Sequence, residues 1–183
     1  MQLCSGSEWA EALKRWIIPG AIGSEDLGDD VLEIGPGPGR ATEILKEMTA
    51  HLTSLEIDPA LAKSLAARMA GTNVAVVEGD ATAMTFQPGR FSAAVSLTML
   101  HHVPDQALQD RLFAEVARVL RPGGLFLGAD SFDSDEFRRL HVDDICMPVD
   151  PARLSDRLVR AGFVAVTVEP NSYVVNFRAR AAF

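Results

Sequence analysis

The chain has 183 residues, 48% hydrophobic and 23% charged, a make-up that suits one globular domain with a full core. Its formal charge of −8 and isoelectric point near 4.9 argue against a broad nucleic-acid surface, because phosphate contacts need concentrated lysine and arginine. No apolar run approaches membrane-spanning length, Met1-Gln2-Leu3-Cys4 lacks the regions of a signal peptide, and two cysteines, Cys4 and Cys146, are too few for a disulfide scaffold, so a reduced, cytoplasmic setting is expected.

Ser5-Gly6-Ser7-Glu8 can form a capping box, and Trp9, Leu13, Trp16 and Ile17 recur at helical spacing until Pro19 is expected to stop the helix. Both tryptophans then share one stripe, which should pack on a sheet and can also cover a ligand. Residues 1–28 read as a capping segment ahead of a single domain over 29–183. Val31 to Gly35 is the first strand, and 41–50 a helix. A second strand ends near Glu56, and Pro59 opens a helix through Met69. Residues 73–78 form strand three. Strand four, Phe91 to Leu97, is nearly continuous in apolar residues, as a strand buried on both faces must be. Asp105 can cap a helix with Leu108, Leu112, Phe113, Val116, Val119 and Leu120 on one face, ended by Arg121-Pro122-Gly123-Gly124. Strand five is expected over Leu125 to Ala129, an aperiodic polar stretch over 130–150, a helix over 151–161, and two last strands over 163–169 and 173–180.

Strands separated by helices predict an α/β domain with right-handed crossovers and a mostly parallel, doubly wound sheet of seven strands, helices on both faces. Strands six and seven are joined only by Pro170-Asn171-Ser172. That is too short for a crossover, so the pair must be antiparallel.

The first strand runs into Gly35-Pro36-Gly37-Pro38-Gly39-Arg40. A dinucleotide fingerprint wants a third glycine where this chain has Arg40 or Thr42, and two prolines remove donors that a pyrophosphate needs. The loop fits a cofactor without phosphates. With Glu33 two residues ahead of it, the run resembles motif I of the class I S-adenosylmethionine-dependent methyltransferases. Glu56 stands about where a ribose-binding carboxylate is placed, and Val76-Val77-Glu78-Gly79-Asp80-Ala81 looks like the family's third motif, in which a carboxylate accepts from the adenine amino group. The terminal hairpin is also typical of this Rossmann-like family, whereas nicotinamide-binding sheets are usually parallel throughout. The resemblance covers the chain from about Asp29 onward. It implies S-adenosylmethionine as cofactor, with contacts at Glu33, Gly35, Pro36, Gly37, Gly39, Glu56, Ile57, Asp80, Ala81, Leu97 and Thr98. Glu33 can instead anchor the loop's own backbone.

Strand four leads into Thr98-Met99-Leu100-His101-His102-Val103-Pro104-Asp105. The motif of an asparagine or aspartate, two prolines and an aromatic that holds a flipped base is missing here, and no cysteine lies nearby for cytosine chemistry. Leu100-His101-His102 resembles small methyltransferases that act on small molecules or lipids, and a small-molecule or lipid-like acceptor is expected. Either histidine can be a general base for a hydroxyl or a brace for the next helix; His101, nearer the strand end, is the preferred base. Beyond strand five, His141, Asp143, Asp144 and Cys146 mix hard and soft ligands in no recognised metal geometry, and a solvated loop or short amphipathic lid is favoured. Two competing readings remain. One is a binding or regulatory module of the same fold without turnover. The other is a nicotinamide-dependent oxidoreductase, opposed by Arg40, the prolines and the hairpin.

Overall fold

A computed structural model describes residues 7–140, 145–171 and 174–182. Among these, β1 (Asp30–Ile34), β2 (His51–Glu56), β3 (Val74–Glu78), β4 (Phe91–Leu97), β5 (Leu120–Asp130), β6 (Phe163–Pro170) and β7 (Val175–Ala181) form one sheet in the order β3-β2-β1-β4-β5-β7-β6. The first five strands run parallel, and β7 pairs antiparallel with both β5 and β6. The expected α/β architecture and its terminal hairpin are therefore present. The Ser5 and Gly6 positions of the expected capping box, and the start of the expected last strand at Tyr173, lie outside the described residues.

The helices are α1 (Ser7–Ala12), α2 (Ile18–Ile22), α3 (Thr42–Leu45), α4 (Pro59–Met69), α5 (Gln106–Val119), α6 (Asp135–Leu140) and α7 (Pro151–Arg160). Three start as the residue types dictate. Asp58, Asp105 and Asp150 accept from backbone N–H groups of the first turns of α4, α5 and α7, and prolines occupy the opening positions of α4 and α7.

The start of the chain corrects one expectation. Pro19 does not stop the helix, because α1 continues through a π turn, Leu13–Ile17, in which Ile18 N–H donates to Leu13 O five residues back. Pro19 then sits in the first turn of α2, where its missing N–H is no loss. The extra residue in the turn also rotates the helical face. Leu13, Ile17, Ile18, Ala21 and Ile22 are buried, Trp9 packs partly against them, and Trp16 is 74% exposed rather than on the sheet. A second correction concerns β5, which starts at Leu120 directly after α5. Leu120 pairs with Phe91 and Leu125 with Ala93, so Arg121–Gly124 bulge out of the ladder.

Alternation along the strands divides the core between the two faces. Val31, Ala93, Val95, Leu97, Leu125 and Leu127 pack with the N-terminal helices, while Leu32, Ile34, Ala94 and Phe126 pack with α5, α7 and β7. The central strands β1 and β4 are buried almost throughout, as the unbroken apolar run required. This leaves their carboxyl ends as the place where a polar site can open.

Candidate active site

β1 lies between β2 and β4, with the chain crossing to opposite sides of it, so the crevice beyond its carboxyl end is the switch point of the sheet. Here the backbone turns through residues 35–41 before α3. Gly37 has φ +52 with nothing within 4 Å of where a Cβ would stand, so glycine serves the backbone conformation there, not the space. Gly39 has φ +79 and faces Leu65 Cδ1 so closely that a Cβ would overlap it. The three glycine N–H groups are already engaged: Gly35 with Leu55 O at 2.9 Å, Gly37 with Glu56 Oε2 at 2.8 Å, and Gly39 with Pro36 O at 2.9 Å. With prolines at 36 and 38, none of these five residues offers a backbone donor to a pyrophosphate.

Two carboxylates floor the crevice. Glu56 is 5% exposed; besides Gly37 N–H it accepts from Asp58 N–H at 3.0 Å through Oε1. Glu33 is 3% exposed and pairs in register with Ser54 on β2. Its Oε2 accepts from Ser54 Oγ at 2.6 Å and Thr42 Oγ1 at 2.7 Å, while Oε1 is buried with no partner. Burial pushes the Glu33 carboxyl up to about 7; the two hydroxyls oppose this, and the Glu56 charge adds to it. Glu33 thus anchors to side chains of α3 and β2, not to the loop backbone.

A cleft of about 530 Å³ opens over these groups. Of the residues expected to form the site, Glu33, Gly35, Pro36, Gly37, Glu56, Ile57, Leu97 and Thr98 line it together. Gly39, Asp80 and Ala81 do not. Gly39 supports the loop from behind, and Asp80 is exposed after the edge strand β3, its Oδ1 accepting from Thr82 N–H at 2.7 Å. Thr98 holds φ +54, a strained conformation for a β-branched residue, with its N–H on Ala129 O at 2.7 Å.

The histidines stand opposite to their expected order. His101 is 4% exposed, its Nδ1 is 2.6 Å from Asp130 Oδ1, and its ring meets Phe137 edge-on at 5.0 Å. His102, whose ring centroid is 4.1 Å from that of His101, lines the cleft. Both belong to a 3₁₀ turn, Leu100–His102, which rotates successive side chains by about 120°, so neighbours cannot face the same way. Leu13, Arg40, Met99 and Ile145, none of them an expected site residue, also line the cleft. Their individual identities carried no signal, since a cleft wall assembled from four separate segments has no sequence period. Trp9, raised as a lid, does line the cleft.

Among the described residues no group of three or more His, Cys, Asp or Glu could hold a metal ion. Of the set considered above, His141, Asp143 and Asp144 lie outside the described residues.

The cleft suits S-adenosylmethionine on its own chemistry. A partnerless buried carboxylate oxygen and two further acids, Glu56 and Asp58, favour a cationic, hydroxyl-bearing ligand, and the glycine loop lacks the donors a phosphate requires.

Comparison with known proteins agrees. A family model described as a methyltransferase domain matches residues 31–124. Over 88 residues the chain is 36% identical to a probable ribosomal RNA small subunit methyltransferase A of Methanothermobacter thermautotrophicus, covering 42% of this chain and 32% of that protein. Over 102 residues it is 32% identical to a ubiquinone biosynthesis O-methyltransferase of Xylella fastidiosa, covering 53% of this chain and 39% of that protein. The chain thus spans about a third of the length of these relatives. Phosphoethanolamine N-methyltransferase 2 of Haemonchus contortus, solved in complex with S-adenosyl-L-methionine, shares the fold at 16% identity and a TM-score of 0.74, over 97% of this chain and 53% of that one.

Proposed function

The chain belongs to the methyltransferase-domain family, as a class I S-adenosylmethionine-dependent methyltransferase, and from that membership we propose that it methylates a small-molecule or lipid-like acceptor in one displacement. The observation that carries the reading is the make-up of the cleft. Acids and glycines come from the strand ends, whereas Trp9, Leu13, Met99 and Ile145 give an apolar wall interrupted by one imidazole, His102. Such a wall suits an acceptor with an apolar body and a single polar reacting group.

In this reading the cofactor supplies a methyl group on a sulfonium, whose thioether leaves neutral and needs no acid. The protein's part is binding and alignment. Glu56 takes the ribose hydroxyls, Ile57 covers a face of the adenine, and Asp80 with Ala81 meets its edge from the end of β3. Gly35, Pro36, Gly37 and Gly39 shape the loop against the amino-acid moiety, with Glu33, Leu97 and Thr98 beneath it. For a hydroxyl acceptor, proton removal falls to His102, which faces the cleft. His101, the residue favoured from sequence, acts behind it, held by Asp130.

The Xylella relative is named for O-methylation in ubiquinone biosynthesis, which supports an apolar, oxygen-bearing acceptor. The Methanothermobacter relative is named for ribosomal RNA, and the charge of −8 weighs against that acceptor class here.

The first test is calorimetric titration with S-adenosylhomocysteine, with NADH in parallel, followed by tritiated methyl transfer into metabolite, lipid and ribosomal RNA fractions. Binding of S-adenosylhomocysteine alone, with label in the metabolite or lipid fraction, is expected. Label confined to RNA overturns the acceptor, and binding of NADH alone overturns the cofactor. With an acceptor in hand, His102→Ala should lower kcat more than it changes cofactor affinity. His101→Ala should reduce turnover less.

A further inference from the structure

We propose that Glu33 stands protonated in the cofactor-free protein and gives its proton to solvent when a cationic ligand enters, so that cofactor binding and proton release are one coupled event. This rests on the cofactor reading above and concerns how that site is regulated by pH. The geometry carries it. Glu33 sits at the floor of the cleft, 3% exposed, between β2 and α3. Its Oε2 already accepts from two hydroxyls, which satisfies that oxygen in either protonation state. Its Oε1 is buried without a partner. A bare charge on that oxygen is costly to bury, and the least expensive state of the empty site carries a hydrogen there.

The charged and titratable groups around Glu33 point the same way. On β2, Glu56 is the neighbouring carboxylate, and its charge disfavours a second one. Asp58 adds a further acid to the cleft, and Arg40 and His102 line it as basic groups. Glu43 and Lys46 on the helical segment that carries Thr42 pair with each other at 2.8 Å. From the N-terminal segment the lining residues are Trp9 and Leu13, and β4 presents Val95 in register with Glu33; none of these is charged.

S-adenosylmethionine brings an ammonium and a sulfonium. Either cation near Oε1 reverses the preference: the Oε1–H bond breaks, the proton passes to the buffer, and the carboxylate keeps the electron pair and faces the cation. Nothing else is consumed. The protein would then bind its cofactor more weakly as pH falls below neutrality, about tenfold per pH unit where Glu33 is fully protonated.

The experiment is titration calorimetry at pH 6.0 and 8.5 in pairs of buffers with different ionisation enthalpies, which counts protons released per ligand bound. With Glu33 titrating at about 7, S-adenosylhomocysteine should release close to one proton at pH 6.0 and almost none at pH 8.5. Glu33→Gln should bind with no Glu33-dependent release at either pH. The ligands separate the cations. S-adenosylhomocysteine retains the ammonium only, so release with it assigns the ammonium, and release with S-adenosylmethionine alone assigns the sulfonium. Methylthioadenosine has neither and should release none.

Equal release from wild type and Glu33→Gln overturns the proposal while leaving the cofactor reading intact. Absence of any binding overturns both. Should Glu33→Gln fail to fold, carbon-13 carboxyl titration of the wild type decides. One glutamate should titrate near pH 7 in the empty protein and below about 5 with S-adenosylhomocysteine bound. A set of glutamates all titrating below 5 in the empty protein also overturns the proposal.

Discussion

Glu56 is the carboxylate with the most to lose, because two backbone donors depend on it before any ligand arrives. It accepts from Gly37 N–H at 2.8 Å and Asp58 N–H at 3.0 Å while 5% exposed. Hydrogen bonds to a charged acceptor contribute about 1.5–3 kcal/mol each. Glu56→Ala removes both, but water entering from the cleft can re-solvate part of the loop, so a net loss of about 2–3 kcal/mol is expected. In a domain of this size that lowers Tm by roughly 5–10 °C. If the same carboxylate holds the ribose diol, cofactor affinity falls as well, by about 3 kcal/mol or some 150-fold in Kd. Glu56→Gln keeps one accepting oxygen and should lie between.

Bracing the loop and binding the ribose are separable by a double-mutant cycle, with S-adenosylhomocysteine and its 2′-deoxy analogue titrated against wild type and Glu56→Ala. Wild type should lose about tenfold on removal of the hydroxyl, and Glu56→Ala should lose almost nothing further. An unchanged Tm would refute the bracing argument. Equal hydroxyl sensitivity in both proteins would refute the ribose contact.

Glu33 predicts a pH profile of stability opposite to that of a salt-bridged acid. Its folded value, about 7, lies above the ordinary 4.5, so the folded chain holds a proton that the unfolded chain has lost between these values. Stability is therefore greatest below about pH 4.5 as far as this group is concerned, falls through the window to about pH 7, and loses no more above it; the total is about 3 kcal/mol. Urea unfolding of wild type and Glu33→Gln at pH 5 and 8 checks this, and a difference independent of pH contradicts it. Gly39→Ala should destabilise by about 2–4 kcal/mol, because a side chain at φ +79 is strained and its Cβ meets Leu65 Cδ1 and Arg68 Nη2. A melting temperature within 2 °C of wild type, by the conversion above, counts against it. Gln109→Leu should cost about 2–4 kcal/mol. The Gln109 amide donates to Leu100 O and Met147 O and accepts from Arg157 Nη2, and leucine breaks all three bonds, leaving Leu100 O with Val103 N–H, Arg157 with Gln106 O and Asp110, and Met147 O without its Gln109 donor. Hydrogen exchange at the Met147 amide, which donates to His101 O, reports whether that wall loosens.

The Gln109 arrangement also explains why the acceptor side of the cleft was hard to see in the chain. His102 lies on a turn after β4, Ile145 on a segment beyond α6, and Trp9 near the N-terminus, and none repeats with a helical or strand period. The side chains that join two of these walls, Gln109 and Arg157, sit on α5 and α7 and are buried polar residues. Read along the chain, they pass for the polar faces of amphipathic helices.

The alternation of apolar strands with helices, the aspartates and prolines that open α4, α5 and α7, and a three-residue connection before β7 were enough to specify the doubly wound sheet and its antiparallel end. Each depends on residues close together in sequence, where backbone sterics and capping act. The glycine loop was legible for the same reason, since proline and glycine set φ and donor count locally. Which histidine faces the cleft, where Trp16 points, what Glu33 bonds to and why it resists ionisation were decided only by tertiary structure. Those properties depend on a π turn, a 3₁₀ turn, a cross-strand register and the dielectric of a closed core. They arise from neighbours brought together by folding, so no local pattern in the chain encodes them.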